Sequence, residues 1–374
     1  MSKLSDLSAL GTAVWLDFVD RKFLAAGGLQ KLVDEDGLTG VTSTPSIFEK
    51  AMGHGDAYDA SLAEFDRANP GAATIVRYEH QAIEDIKVAA DTLRPVYDRL
   101  NAKDGYVSLE VSPYIADDTD ATIEEAQKLW AAVDKPNLMI KIPGTLAGGP
   151  AISATIAAGI NVNVTLLFAL DAYIRVAEAY ATGLEERVKQ GQSIDRIASV
   201  ASFFVSRIDS VVDKAIDQRV ADGDPEAEAL KAIRGQVAIA NAKMAYQWYL
   251  DFLKSDRWQA LAAKGAQPQR LLWASTGTKD PSFPDTLYVD TLIGPDTVNT
   301  MPPKTMDAFR ERGTPAVTLT QDVEQARHVM AEAERLGVNL TSITDTLVEE
   351  GVASFATAFD DLLGAIARKQ PAAA

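Results

Sequence analysis

Short β-rich apolar runs alternate along the chain with longer segments whose apolar residues recur every three or four positions. The first kind predicts strands over 12–19 (TAVWLDFV), 38–45 (LTGVTSTP), 106–112 (YVSLEVS) and 138–144 (LMIKIPG). Four more are predicted over 161–168 (NVNVTLLF), 199–205 (SVASFFV), 270–277 (RLLWASTG) and 296–302 (DTVNTMP). The second kind predicts amphipathic helices. Over 122–133, for example, Ile123, Ala126, Leu129, Trp130 and Val133 share one face. Capping boxes are read at Thr122-x-x-Glu125 and, directly after Pro45, at Ser46-x-x-Glu49.

Strand followed by helix, eight times over, predicts an α/β fold, a single (β/α)8 TIM barrel of parallel strands. Extra helices are expected after the second strand (46–103) and after the sixth (221–266, with one long helix over 227–253 and a shorter one). Two more are expected after the eighth, near 322–336 and 341–369. No low-complexity linker and no repeat of fixed period divides the chain. One catalytic domain over 1–370 is therefore expected, with a disordered tail at 371–374. A doubly wound enzyme of two domains is the alternative.

Alternation within the strands sets polar side chains on the inner face, where a parallel barrel ordinarily packs branched apolar ones. In the fifth strand Val162, Val164 and Leu166 point one way, and Asn161, Asn163 and Thr165 the other. Elsewhere Val107, Leu109 and Val111 oppose Ser108 and Glu110; Leu138, Ile140 and Ile142 oppose Met139 and Lys141; Val14, Leu16 and Phe18 oppose Trp15 and Asp17. Asp17, Glu110 and Lys141 all fall late in their strands, the end where barrel enzymes keep their sites. Buried charges cost several kcal/mol each unless paired, so the bland reading is a salt-bridge plug in the barrel mouth. With Asn163 and Thr165 beside them, the set reads better as chemistry. A Lys between Ile140, Ile142 and Pro143 sits in apolar surroundings that favour the free amine, the form that attacks a ketone. The carboxylates would then move protons during dehydration and carbon–carbon cleavage.

Composition narrows this further. The 374 residues contain no cysteine, which excludes disulfides, thiolate metal sites and a Cys nucleophile. The three histidines, His54, His80 and His328, are not at ligand spacing, and no metal is expected. A formal net charge of -17 argues against nucleic-acid and anionic-membrane partners, though a pocket can locally oppose the global sign. No signal-peptide pattern or membrane-length apolar run is read, and a cytoplasmic location is expected.

At these residues the chain resembles the transaldolase family of class I, Schiff-base enzymes. Leu138-Met139-Ile140-Lys141-Ile142-Pro143-Gly144-Thr145 is similar to that family's active-site lysine signature, and Gly40-Val41-Thr42-Ser43-Thr44-Pro45-Ser46 to its other signature. Trp15-Leu16-Asp17, Ser108-Leu109-Glu110-Val111, the segment 161–168 and Ser202-Phe203-Phe204-Val205-Ser206-Arg207 also match, in order along nearly the whole chain. The segment 294–300 resembles the longer bacterial branch.

The resemblance implies transfer of a dihydroxyacetone unit from sedoheptulose 7-phosphate to glyceraldehyde 3-phosphate, giving erythrose 4-phosphate and fructose 6-phosphate, without a metal or organic cofactor. It implies Lys141 as the Schiff-base nucleophile and Asp17 as the base at the C4 hydroxyl. Glu110 is implied as the proton carrier, working through a water held by Thr165. Asn163 would bond the ketose, Phe204 would shape the wall, and Ser202 and Arg207 would hold the phosphate. Partners would be small sugar phosphates, with the oligomeric state open between monomer and homodimer.

Arg207 also has a structural reading, as a surface pair with Asp209. Residues 144–149 (GTLAGG) lack the Lys-Ser/Thr ending of a phosphate loop. Two positions depart from the family pattern. Thr44 stands where the pattern has Asn, offering one hydroxyl to the donor site in place of an amide. Lys279 stands in the loop where some relatives carry an Arg, and would supply a second phosphate charge. Competing readings are an aldolase that releases dihydroxyacetone from the same lysine, and an inactive barrel that binds sugar phosphates as a scaffold.

Overall fold

In the computed structural model residues 2–369 are described; the tail expected over 371–374 lies outside them. Eight strands form: β1 Thr12–Asp17, β2 Gly40–Thr42, β3 Tyr106–Glu110, β4 Leu138–Pro143, β5 Val162–Leu167, β6 Ser199–Phe204, β7 Arg270–Ala274 and β8 Thr297–Met301. Each lies inside the run expected for it. Every neighbouring pair is parallel, and β8 returns to β1, so the sheet closes into a barrel. All residues of β4, β5 and β6 are buried, as strands covered on both faces must be.

The added helices fall where the long segments predict them. Pro45–Gly53, Asp59–Ala68 and Thr74–Arg99 follow β2. After β6 the single long helix expected over 227–253 is instead two, Ala227–Ile233 and Val237–Lys254. The break is at Gly235, whose φ of +69° no helix tolerates. Asp213 accepts the Gly235 N–H at 2.9 Å and Asp209 the Ala238 N–H at 2.9 Å, so the second helix starts on carboxylates from a neighbouring one.

Both expected capping boxes are displaced. Helix Pro45–Gly53 is capped by Thr44, two residues before Ser46, because Pro45 has no N–H to lose and its fixed φ suits the first helical position. Helix Thr119–Val133 is capped by Asp118, which accepts from the Ala121 N–H at 3.0 Å. The Thr122 hydroxyl instead donates to the Ile115 carbonyl.

The floor of the barrel, at the N-terminal strand ends, carries a buried ion pair. Arg270 Nη1 lies 3.1 Å from Asp104 Oδ2, and Asp104 also accepts from Trp15 Nε1 at 2.9 Å and Thr39 Oγ1 at 3.1 Å. Gly40 lets Trp15 cross there, since a Cβ on it would sit 2.3 Å from the indole.

Strand β5 is bulged. Its register with β6 shifts between Val164 and Leu167, and Leu166 sits at φ +58°. The inward–outward alternation expected to run through Leu166 therefore stops at Thr165, because a bulge adds a residue on one strand only. Helix Leu340–Arg368 runs against helix Pro45–Gly53 and brings Phe355 and Phe359 to the C-terminal ends of the strands. It is fastened by Arg77, fully buried, which donates to the Ile366 carbonyl at 2.7 Å while paired with Asp66. No helix among the described residues is long and apolar enough to cross a membrane.

Candidate active site

Strand register assembles the site. Glu110 on β3 is level with Lys141 on β4, and Lys141 is level with Asn163 on β5. Level residues on parallel strands point the same way, so the three side chains form one inward row near the strand ends. Lys141 Nζ lies 3.2 Å from Glu110 Oε2 and donates to the Ser43 carbonyl at 3.2 Å. Both side chains are nearly enclosed, 4% and 6% exposed. The Asn163 amide is held at both ends, donating to Ser108 Oγ at 3.0 Å and accepting from Ser202 Oγ at 2.7 Å. The Thr165 hydroxyl is buried and has no hydrogen-bond partner among the described residues.

Asp17 ends β1, opposite Thr42 of β2 in the register. Thr42 Oγ1 donates to Asp17 Oδ1 at 2.6 Å. Having spent its one proton there, it accepts from Thr300 Oγ1 at 2.7 Å. Burial pushes the Asp17 carboxyl above the ordinary aspartate range, against the Thr42 hydrogen bond and the charges of Lys141, Arg207 and Lys279. Burial likewise pushes Glu110 up; Lys141 opposes this and Asp17 adds to it. Two carboxyls of raised basicity thus flank one amine.

A cationic end adjoins this row despite the net charge of -17. Arg207 lies in the first turn of helix Ser206–Ala221, half-buried, its guanidinium carbon 5.2 Å from the centre of the Phe204 ring. It forms no ion pair among the described residues, because Asp209 is turned away onto Ala238 N–H and Tyr288 OH. The surface-pair reading of Arg207 is therefore excluded. Lys279 is exposed on the loop after β7, near enough to act on Asp17. The Ser202 hydroxyl donates to Asn163, leaving only its lone pairs toward the cavity. The Thr44 hydroxyl accepts the Ile47 N–H at 3.3 Å as a helix cap.

Sequence reasoning did not single out Thr42 and Thr300, the Ser43 carbonyl or Phe355, whose ring centre is 5.7 Å from Lys141 Nζ. Polar residues late in β2 and β8 were a signal for the two threonines. A main-chain carbonyl and a residue of the last helix leave no such mark.

Comparison with known proteins finds a matching family model and full-length relatives. A family model described as "Transaldolase/Fructose-6-phosphate aldolase" matches residues 14–366. The chain is 49% identical to a protein named transaldolase from Parafrankia sp. (strain EAN1pec), over all of both chains. It is 47% identical to a transaldolase of Thermobifida fusca, covering 98% of each chain. A protein named transaldolase 2 from Nostoc sp. is 46% identical, over 99% of this chain and 98% of its own.

Proposed function

Because the chain belongs to the transaldolase/fructose-6-phosphate aldolase family, we propose that it moves a dihydroxyacetone unit between sugar phosphates through a Schiff base on Lys141. The donor is sedoheptulose 7-phosphate and the acceptor glyceraldehyde 3-phosphate; the products are erythrose 4-phosphate and fructose 6-phosphate. The observation that carries this reading is the enclosed Lys141 amine, 3.2 Å from Glu110, with the buried Asp17 near enough to feel its charge.

The neutral amine attacks the C2 carbonyl and gives a carbinolamine. Glu110 delivers a proton to its hydroxyl, water leaves and the iminium forms. Thr165, with its unpartnered hydroxyl, is suited to hold the water that links Glu110 to C2. Asp17 takes the proton of the C4 hydroxyl; the C3–C4 bond breaks, and its electron pair passes into the iminium to leave an enamine. Erythrose 4-phosphate departs, and the enamine carbon attacks the incoming aldehyde while Asp17 returns its proton. Water then hydrolyses the new iminium. Asn163 and Thr44 offer hydrogen bonds to the dihydroxyacetone hydroxyls, and Phe204 forms the wall. Arg207 and Lys279 receive the phosphate, while Ser202, whose proton is given to Asn163, fixes the orientation of that amide. The barrel and its added helices act here as one catalytic domain, in the cytoplasm, with small sugar phosphates as its partners.

Borohydride reduction with fructose 6-phosphate is expected to fix an adduct on Lys141, and erythrose 4-phosphate should be needed for turnover to sedoheptulose 7-phosphate. Free dihydroxyacetone released at the same rate without acceptor would reassign the enzyme as an aldolase. Absence of any adduct would overturn the Schiff-base reading.

Arg207→Ala is expected to raise KM for fructose 6-phosphate about 10- to 100-fold, the scale of a hydrogen bond to a charged group, with little change for unphosphorylated fructose. Equal losses on the two donors would show Arg207 to be structural.

A further inference from the structure

The barrel wall is thin beside Glu110. Strand β2 ends at Thr42 and pairs with β3 only through Gly40 and Val41, whereas β3 continues to Glu110. Above Val107 the two are joined by one side-chain bond, Ser43 Oγ to the Ser108 carbonyl at 2.8 Å. Behind this gap stands Tyr78, on the inward face of helix Thr74–Arg99, its ring held edge-on between Phe48 and Phe359.

Two small cavities meet at Tyr78, and Glu110 lines both. The inner one, about 10 Å³, also touches Ser43 and Thr44; the outer one, about 20 Å³, also touches Ala82 and Glu125. Each is about the size that admits a single water. Tyr78 is 7% exposed, and its hydroxyl bonds to no described residue. Glu110, Glu79 and Glu125 line the outer cavity with it. Glu79 lies at the outer end, paired with the exposed Lys128 at 2.6 Å. Polar groups therefore run from the site to the surface between helices Thr74–Arg99 and Thr119–Val133. On the inner side Glu110 faces Lys141 and, farther off, Asp17.

We propose that this side passage, with Tyr78 as its gate, carries water and protons between Glu110 and solvent while a sugar phosphate fills the barrel mouth. The proposal rests on the Schiff-base reading above. That chemistry expels one water when the carbinolamine dehydrates and consumes one when the product iminium is hydrolysed. Between the two events the enamine must meet an aldehyde and not bulk solvent. A one-water route opening beside Glu110 serves both the dehydration and the hydrolysis, and leaves the cleavage side, at Asp17, dry.

Tyr78→Phe keeps the ring packing and removes the hydroxyl. It is expected to lower kcat about 5- to 20-fold, less than the loss of a general acid itself. The fraction of enzyme trapped by borohydride at steady state should rise, because hydrolysis, which must draw a water in through the passage, is slowed more than dehydration, whose water forms at the site. Release of erythrose 4-phosphate in a single turnover from preformed iminium should not change. Glu125→Gln, at the half-exposed outer end, should shift both readouts the same way by about 2- to 5-fold, and supplies the test if the Tyr78 variant does not fold. A merely structural role would raise KM without raising the trapped fraction, and that result overturns the proposal. So do folded variants with wild-type kcat and trapping. Failure of wild-type enzyme to trap at all would instead strike at the Schiff-base reading.

Discussion

Lys141→Ala is expected to lose at least about 10⁴-fold in turnover, as removal of a covalent nucleophile does, and to give no borohydride adduct. Its cost in stability should depend on pH. The ammonium is the cation nearest Glu110, 3.2 Å away in a nearly closed space. Removing one partner of a buried pair ordinarily costs about 3–5 kcal/mol, because the other charge is stranded.

Glu110 has an escape. Burial already lifts its carboxyl above the ordinary glutamate value, and Lys141 is the largest influence holding it down. Without Lys141 the folded protein keeps the Glu110 proton to higher pH than the unfolded chain does. A folded state that binds more protons loses stability as pH rises. The variant should therefore melt close to wild type near pH 4.5, around the unfolded glutamate pKa, and fall progressively further below it toward pH 8. Glu110→Gln in the same chain should remove that slope. A melting difference independent of pH would show that packing against Phe355 is what Lys141 supplies. Residual adduct on another lysine would displace it as nucleophile.

The legible part of this site is the part that the strand period controls. Glu110, Lys141 and Asn163 come together because β3, β4 and β5 are in register and each places its residue on the inner face. Alternation needs only local sequence, so the row can be read before the fold is known. The helix starts are less legible, since Ser46-x-x-Glu49 is a good capping pattern overruled by one proline. The bulge at Leu166 is illegible: a leucine at positive φ is disfavoured everywhere and persists only because the surrounding structure fixes it.

Thr44 shows another limit. As a replacement for Asn it reads as a weakened donor-site contact, yet its hydroxyl also caps a helix. Asn and Asp cap as well as Thr or better, so an Asn at this position would perform that second task equally well. Phe355 lies at the far end of the chain from Lys141, and only the packing of the last helix brings it there.

Asp17→Asn should separate catalysis from both binding and stability. The amide keeps the shape and still accepts the Thr42 hydroxyl, but it cannot take the C4 proton. Transfer should fall about 10²- to 10⁴-fold, the range for a lost general base. Lys141 and Glu110 are untouched, so iminium should accumulate ahead of the blocked cleavage and borohydride should trap more enzyme than in wild type. The substitution also removes a negative charge that faces Lys141, Arg207 and Lys279. Inorganic phosphate should consequently bind more tightly to the variant, most visibly at low salt.

Stability should move opposite to activity. Burial outweighs the neighbouring cations and raises the Asp17 carboxyl in the folded state. Wild type therefore loses stability as pH climbs from the unfolded aspartate value, near 3.8, through the folded one. Asn carries no such penalty, so the variant should melt with wild type near pH 3.8 and above it at pH 7. A variant that is inactive, heat-stable and rich in trapped iminium is the signature of a buried catalytic base. One that is inactive, heat-labile and free of adduct would mean that Asp17 holds β1 to β2 through Thr42, and that the base lies elsewhere.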